Sequence, residues 1–472
     1  MSTLAATSEQ PFARALRFAQ RRAFRQTLNE RVEAYLREHG LRERDLPAMY
    51  IKTAVAMAWW LGTYLLLLLG GFPTWVNVIL CVVWALAIAS VGFNVMHDAN
   101  HRGYSDHPRV NRLLSLTAEL LGISGFRWRT KHNVWHHTYT NIAGYDDDVE
   151  TYGLMRLTPR VPWKWLYRGQ AWYFPLVYSM IGLDFIMRDL MMAIAGRSDA
   201  NHVYPAMSAG EKATFWGGKL FYSLIVFALP LLVFPWWQVL IGYFLVMLTV
   251  GLVMGIVFQV AHISDDAEFP EPVGDPLHID NDWAIHQVET TVDFAPRNRL
   301  LSLYIGGLNY QIEHHLFPDL PAHRYPELAP RVQAICAKYG LRYNTGSFWK
   351  QYGSVLGGLV RRALPPVRRA AAAPESIVSA WPAEASSTAL VELMTVVPKS
   401  SPLAAPARLS TWRSMFWMSN RNLPSCLAAL KGPLRRIVPS STVPLRKRSA
   451  SCLSSVGVRS QSSVTANPAA WA

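Results

Sequence analysis

Histidines grouped at metal-ligand spacings dominate the chemistry that this sequence can offer. HDANH presents His97 and His101, HNVWHH presents His132, His136 and His137, QIEHH presents Gln311, His314 and His315, and QVAH adds His262. Residues three or four apart share a helix face with about 5–6 Å between Cβ atoms, which suits two imidazoles on one ion. His137, one residue beyond His136, points roughly 100° away on an α-helix, so the second group can serve two neighbouring metals. Eight of the 14 histidines lie in these groups. They exceed the needs of one four-coordinate zinc, so a pair of metals is expected. Residue type alone leaves zinc and iron open. The lack of cysteine ligands, the ligand number and the adjoining apolar segments favour iron and oxidation of a lipid. Cys81, Cys336, Cys426 and Cys452 form no C-x-x-C pair, so neither a thiolate metal site nor a disulfide framework is expected.

Such a centre needs elements that bring distant groups together. Half of the 472 residues are hydrophobic (51%) and only 17% are charged, which points to a membrane protein. Four uncharged segments at about 53–69, 75–96, 220–234 and 236–258 approach the ~20 residues that cross a bilayer core. The turn at Gly70-Gly71-Phe72-Pro73 and the break at Pro235 make them two hairpins. The expected fold is an all-α integral membrane protein, with four transmembrane helices and a helical cap carrying a di-metal site. Lys and Arg collect on the N-terminal arm, between the hairpins and after Phe258, which places these parts and all four histidine groups on the cytosolic side. Trp163 to Ala195 and Leu113 to Phe126 mix apolar and charged residues and read as interfacial.

Residues 1–50 form a cytosolic arm without a cleavable signal pattern, 51–352 the membrane domain, and 353–472 a linker and a disordered, basic Ser/Pro/Ala-rich tail. Residues 366–472 carry 13 Lys+Arg against 3 Asp+Glu, leaving +4 of the net +14 for the rest. A charge confined to one tail is no nucleic-acid footprint.

With its three boxes disposed around two hairpins, the sequence resembles the integral-membrane fatty acid desaturases from about residue 45 to 350. The stretch from Trp283 to Pro318, with WAIHQVETTVDF and NYQIEHHLFP, is part of this likeness. Glutamine at the head of the third box is similar to the front-end, or linoleoyl-CoA desaturase-like, branch. The resemblance implies that His97, His101, His132, His136, His137, His262, His314 and His315 hold two irons, with Gln311 reaching a metal directly or through water. It further implies that O2 and two electrons remove two hydrogens from a long acyl chain carried as acyl-CoA or acyl-lipid.

Asp98, Asp146, Asp148, Glu289, Asp293 and Glu313 are candidates to accept the second ring N–H of the ligands and fix their tautomers. Asp147 either joins them or is a solvated acid, and Asn141, in HHTYTN, matches the family pattern. No HPGG haem motif is present, so a separate ferredoxin or cytochrome b5-type donor, with its reductase, is expected. Arg127, Arg129 and Lys131 are candidates to dock that donor or a coenzyme A headgroup, against a reading as ordinary positive-inside charge. Trp128, Trp135, Trp172 and Tyr173 line an acyl tunnel or belong to an interfacial belt. A multi-pass protein of the bacterial inner membrane or endoplasmic reticulum follows, its site facing the cytosol. The alternatives are a membrane di-iron lipid hydroxylase and a non-catalytic zinc-binding receptor or transporter.

Overall fold

The computed structural model describes residues 16–20, 23–196 and 202–365. A short strand, β1 (Arg17–Phe18), precedes helix α1 (Ala23–Glu38), whose Phe24, Leu28, Val32 and Leu36 recur every fourth residue and are buried. The first membrane-length hairpin is α2 (Pro47–Leu69) and α3 (Thr74–Asn100). A proline opens α2, where its missing N–H has no helical partner to lose. Near its end α3 loosens into a π-helical stretch, Gly92–Met96, and then delivers His97. An amphipathic α4 (Pro108–Ser115) leads to α5 (residues 125–139), which is π-helical over Arg129–His136.

The segment read as interfacial folds into α6 (Gln170–Ser179) and α7 (Ile181–Ala195). The second hairpin is α8 (Ala209–Leu231) and α9 (Trp236–His262). Against α9 the α6–α7 pair packs backbone to backbone: a Cβ added at Gly251 would lie 2.1 Å from the Ser179 carbonyl oxygen. Among the described residues these are the four helices long and apolar enough to span a membrane, and the protein is a multi-pass membrane protein.

The helices differ from the spans read in the sequence: the first starts earlier, at Pro47, the second runs on to Asn100, and the second hairpin shows two further differences. The third span begins at Ala209, not Leu220, because Ser208 and Glu211 form a capping box and the buried Asp189 carboxylate neutralises Lys219 at 2.6 Å. The fourth continues through His262, which is its last residue and not a residue beyond it.

The cap is built from α10 (Trp283–Thr290), α11 (Arg299–Tyr304), α12 (Gln311–Leu316), α13 (Tyr325–Lys338) and α14 (Phe348–Ala363). Phe24, Leu28, Val288, Ile312, Val332 and Cys336 share one apolar core, which ties α1, α10, α12 and α13 together behind the third box. Two small parallel sheets complete it: β1 pairs with β2 (His278–Ile279), and β3 (Asp293–Phe294) with β4 (Thr345–Gly346). The expected tail from residue 366 onward lies outside the described residues.

Candidate metal centre

All eight histidines meet where α3, α5, α9 and α12 converge, and none is more than 7% exposed. His97, His101, His132 and His314 form one set whose ligand nitrogens lie within 4.8 Å of one another, and His136, His262 and His315 form a second. His137 joins them, grouping with His314 and His315 and placing its Nε2 3.3 Å from His132 Nε2. The α-helical expectation for His137 is revised here. The i→i+5 bonding of a π-helix widens the turn, so His132, His136 and His137 face one region, with ring centroids 4.9–5.7 Å apart.

Hydrogen bonds fix the rings from behind. The Nδ1 of His97 lies 3.2 Å from Asp98, which Lys52 also holds; that of His136 lies 3.1 Å from Asp146 and 3.3 Å from Asp148. His314 Nδ1 lies 3.3 Å from the Tyr325 hydroxyl, and His315 Nδ1 lies 2.8 Å from Gln287 Oε1. With Nδ1–H donated backward, the Nε2 lone pairs of these four rings point inward, where they are buried and unpartnered.

Burial, reinforced by neighbouring imidazoles, holds His101, His132, His137, His314 and His315 well below the usual histidine range, so they are neutral and able to ligate. His136 differs: burial pulls it down, but the Asp146 and Asp148 carboxylates outweigh this and raise it. Burial likewise opposes the charge on Lys131, and Asp147 and Asp148 more than restore it.

Several expected roles change. Glu289 takes the side-chain amide of Asn281 and no histidine ring. Asp293 and Glu313 brace the third box instead: Asp293 accepts the Ile312 N–H at 3.0 Å, and the Tyr343 hydroxyl lies 2.6 Å from Asp293 and 2.9 Å from Glu313. Burial pushes Asp293 up to about 6, and burial with the Asp293 charge pushes Glu313 well above the carboxylate range, so this pair retains a proton near neutrality. Asn141, at φ 61°, donates to the carbonyls of His262 and Glu268 and so fixes the end of α9. Asp147 is buried between Lys131 and Arg188, not solvated.

Arg127, Arg129 and Lys131 turn inward and do not form a docking face. Arg127 is 1% exposed and 3.6 Å from Asp189, Arg129 donates to Asn100, and Lys131 is buried 2.5 Å from Asp148. Asp189 draws Arg127 into the protein, and Asp147 and Asp148 draw in Lys131.

Gln311 is buried, and its side-chain oxygen has no partner. The sequence reading missed Gln287, Thr140, Tyr325 and Gln259. Thr140 donates to Gln287, and the unpartnered Oε1 of Gln259 belongs to a residue lining a water-sized hollow with His136, His262 and Asp148. Gln287 meets His315 across 28 residues through the packing of α10 on α12, so no local spacing announces it.

An apolar cavity of about 200 Å³ reaches His97 and Trp128 and extends between the spans past Trp60, Tyr64 and Trp84 to Asn77. From His97 to Asn77 along α3 is about 30 Å at 1.5 Å per residue. Trp128 lines it and stacks on His132 at 4.4 Å. The other expected tunnel aromatics lie elsewhere: Trp135 stacks on His202, Tyr173 bonds the Leu154 carbonyl, and Trp172 is exposed.

Residues 73–347 match the sequence model of the family described as Fatty acid desaturase. Over 321 residues the chain is 39% identical to the sn-1 linoleoyl-lipid 6-desaturase of Arthrospira platensis, covering 68% of this chain and 87% of that protein. The protein of the same name from Synechocystis sp. is 38% identical over 332 residues, 70% of this chain and 92% of its own. The Acyl-lipid (8-3)-desaturase of Mortierella alpina is 30% identical over 357 residues, 74% and 80% of the two chains. With its histidine boxes gathered at one end of four membrane-length helices, this chain is an oxidoreductase belonging to the fatty acid desaturase family, in the front-end branch.

Proposed function

We propose that the protein is an O2-dependent di-iron desaturase that introduces a double bond into a long acyl chain, carried by a membrane lipid as in the names of its relatives. The observation that carries this reading is the pair of sets of buried imidazoles in which the Nε2 atoms of His97, His101, His136, His262, His314 and His315 lack hydrogen-bond partners, with His97 lining an apolar cavity. A donor set of nitrogens with no thiolate fits two irons. His97, His101, His132 and His314 would hold one, His136, His262 and His315 the other, with His137 between them and the Gln259 and Gln311 amides at hand.

An unactivated methylene has no acidic proton, so acid–base catalysis by side chains cannot attack it. When bound, the irons supply the oxidising power drawn from O2. The chain's own residues position and exclude. The cavity takes the methyl-side part of the acyl chain between the spans, with Trp128 lining it beside His97. Asp98, Asp146, Tyr325 and Gln287 hold the rings in the tautomer that faces inward. Electrons come from a separate ferredoxin or cytochrome b5-type donor, and the site faces the cytosol of a bacterial inner membrane or of the endoplasmic reticulum.

Expression in a host of simple lipid composition, together with an electron donor, tests this by mass spectrometry of the lipids. New double bonds are expected. Hydroxylated chains in their place would transfer the assignment to a hydroxylase, and unchanged lipids in the presence of a working donor would refute both.

A further inference from the structure

An apolar surface on the cap lies apart from the metal centre. α11 exposes Leu300 (80%) and Leu303 (63%), and Trp349, at the start of α14, is 76% exposed. The two helices are joined beneath this surface, where Leu301, Tyr304 and Phe348 pack on one core with Phe93 of α3.

The depth of this surface can be read from α3. The Tyr304 hydroxyl donates to the Leu86 carbonyl at 3.2 Å, and Asn94 Nδ2 donates to the Tyr304 carbonyl at 2.7 Å. Gly306, at φ +67°, touches the same helix: a Cβ there would lie 2.6 Å from the Phe93 oxygen. α11 is therefore fastened along residues 86–94 of α3. With the core boundary at the exposed Trp75, Leu86 lies about 16 Å and Asn94 about 28 Å along the span, both within a hydrocarbon core of about 30 Å. By this reckoning Leu300 and Leu303, four and one residues before Tyr304 on α11, fall near the far boundary. Arg297 and Arg299, both exposed and outside the ion pairs formed by the described residues, lie at the entrance to α11.

We propose that this surface is submerged in the leaflet on the metal-centre side, with Leu300, Leu303 and Trp349 among acyl chains and Arg297 and Arg299 on the phosphates of anionic lipid headgroups. The proposal rests on the four-span reading of the chain. It continues the lipid-facing surface of the spans onto the cap, and its charges complement an anionic leaflet. Leu308, four residues beyond α11, lines the acyl cavity, and Gln311 opens the third box. The leaflet contact thus anchors the loop that carries the metal-binding helix.

Nitroxides on single cysteines at positions 300, 303 and 241 test this in nanodiscs of phosphatidylethanolamine and phosphatidylglycerol. Ile241 is 59% exposed on α9 and reports the span itself; the parent chain gives the background from the native cysteines. Positions 300 and 303 are expected to share the oxygen-rich, nickel-poor collision signature of position 241. Nickel access at 300 and 303 with a lipid-like 241 would overturn the proposal and leave the spans standing; nickel access at all three would overturn both. Arg297→Gln and Arg299→Gln are expected to lower the preference for phosphatidylglycerol roughly fivefold each at low salt. An unchanged preference would overturn the headgroup assignment.

Discussion

Replacing Asp146 by asparagine isolates one half of the metal centre. The Asp146 carboxylate is fully buried and accepts three donors: His136 Nδ1 at 3.1 Å, the Asn141 N–H at 2.9 Å and the Asp148 N–H at 3.1 Å. An amide of the same shape keeps one oxygen and turns an NH2 toward at least one of these donors. The lost charge-assisted bond is worth about 1.5–3 kcal/mol. Loss of such a support for a ligating histidine lowers metal affinity by about 10–100-fold, or about 1.4–2.8 kcal/mol, and the two figures agree. Because Asp146 touches only the set containing His136, one of the two irons should be affected. Titration of the purified protein with a competing chelator, followed by metal analysis, is expected to become biphasic, one iron leaving at 10–100-fold lower chelator and the other at the parental midpoint. Circular dichroism checks that the helices persist. A parental midpoint for both irons, or equal weakening of both in a folded chain, would refute the reasoning.

Gln287→Leu removes the acceptor of His315 Nδ1 and should weaken the same iron by a similar factor, while Gln287→Glu restores an acceptor and most of the affinity; equal midpoints for both variants would remove Gln287 from this role. Glu313→Gln bears on the proton held with Asp293. The folded chain binds this proton more tightly than the unfolded chain, so it stabilises most at low pH, and the benefit fades as pH rises from about 4 through about 6 and beyond. Thermal unfolding across pH 5–7.5 should show a shallower decline for the variant, by up to about 1.4 kcal/mol per pH unit. Parallel curves would count against a shared proton. Gly251→Ala should destabilise the packing of α6 and α7 on α9 by about 1–3 kcal/mol in detergent, whereas Gly217→Ala, with open space around its Cβ position, should be close to neutral. Equal melting temperatures would contradict the close backbone approach.

Residue spacing and hydropathy made the spans and the eight histidines legible, because both are local patterns: an apolar run measures the bilayer, and i, i+4 imidazoles measure a metal. The start of α8 was hidden by Lys219, whose charge argues against a span until its partner Asp189, thirty residues earlier, is known. The same long-range pairing explains the misreading of Arg127 and Lys131, since composition shows cations and not the buried carboxylates that capture them. Asp98 and Asp146 sit near their rings in sequence, and their contacts could be anticipated. Gln287 and Tyr325 reach theirs only through tertiary packing. The π-helical turns of α3 and α5 carry no spacing signal, yet they set where His97 and His137 point.

Metal stoichiometry of the purified chain bears most directly on the two sets of imidazoles. Elemental analysis against quantified protein, with X-ray absorption at the iron edge, should give two irons per chain in nitrogen-rich, sulfur-free surroundings. One metal per chain, or zinc in place of iron in a chain that yields no oxidised lipid, would contradict a di-iron desaturase.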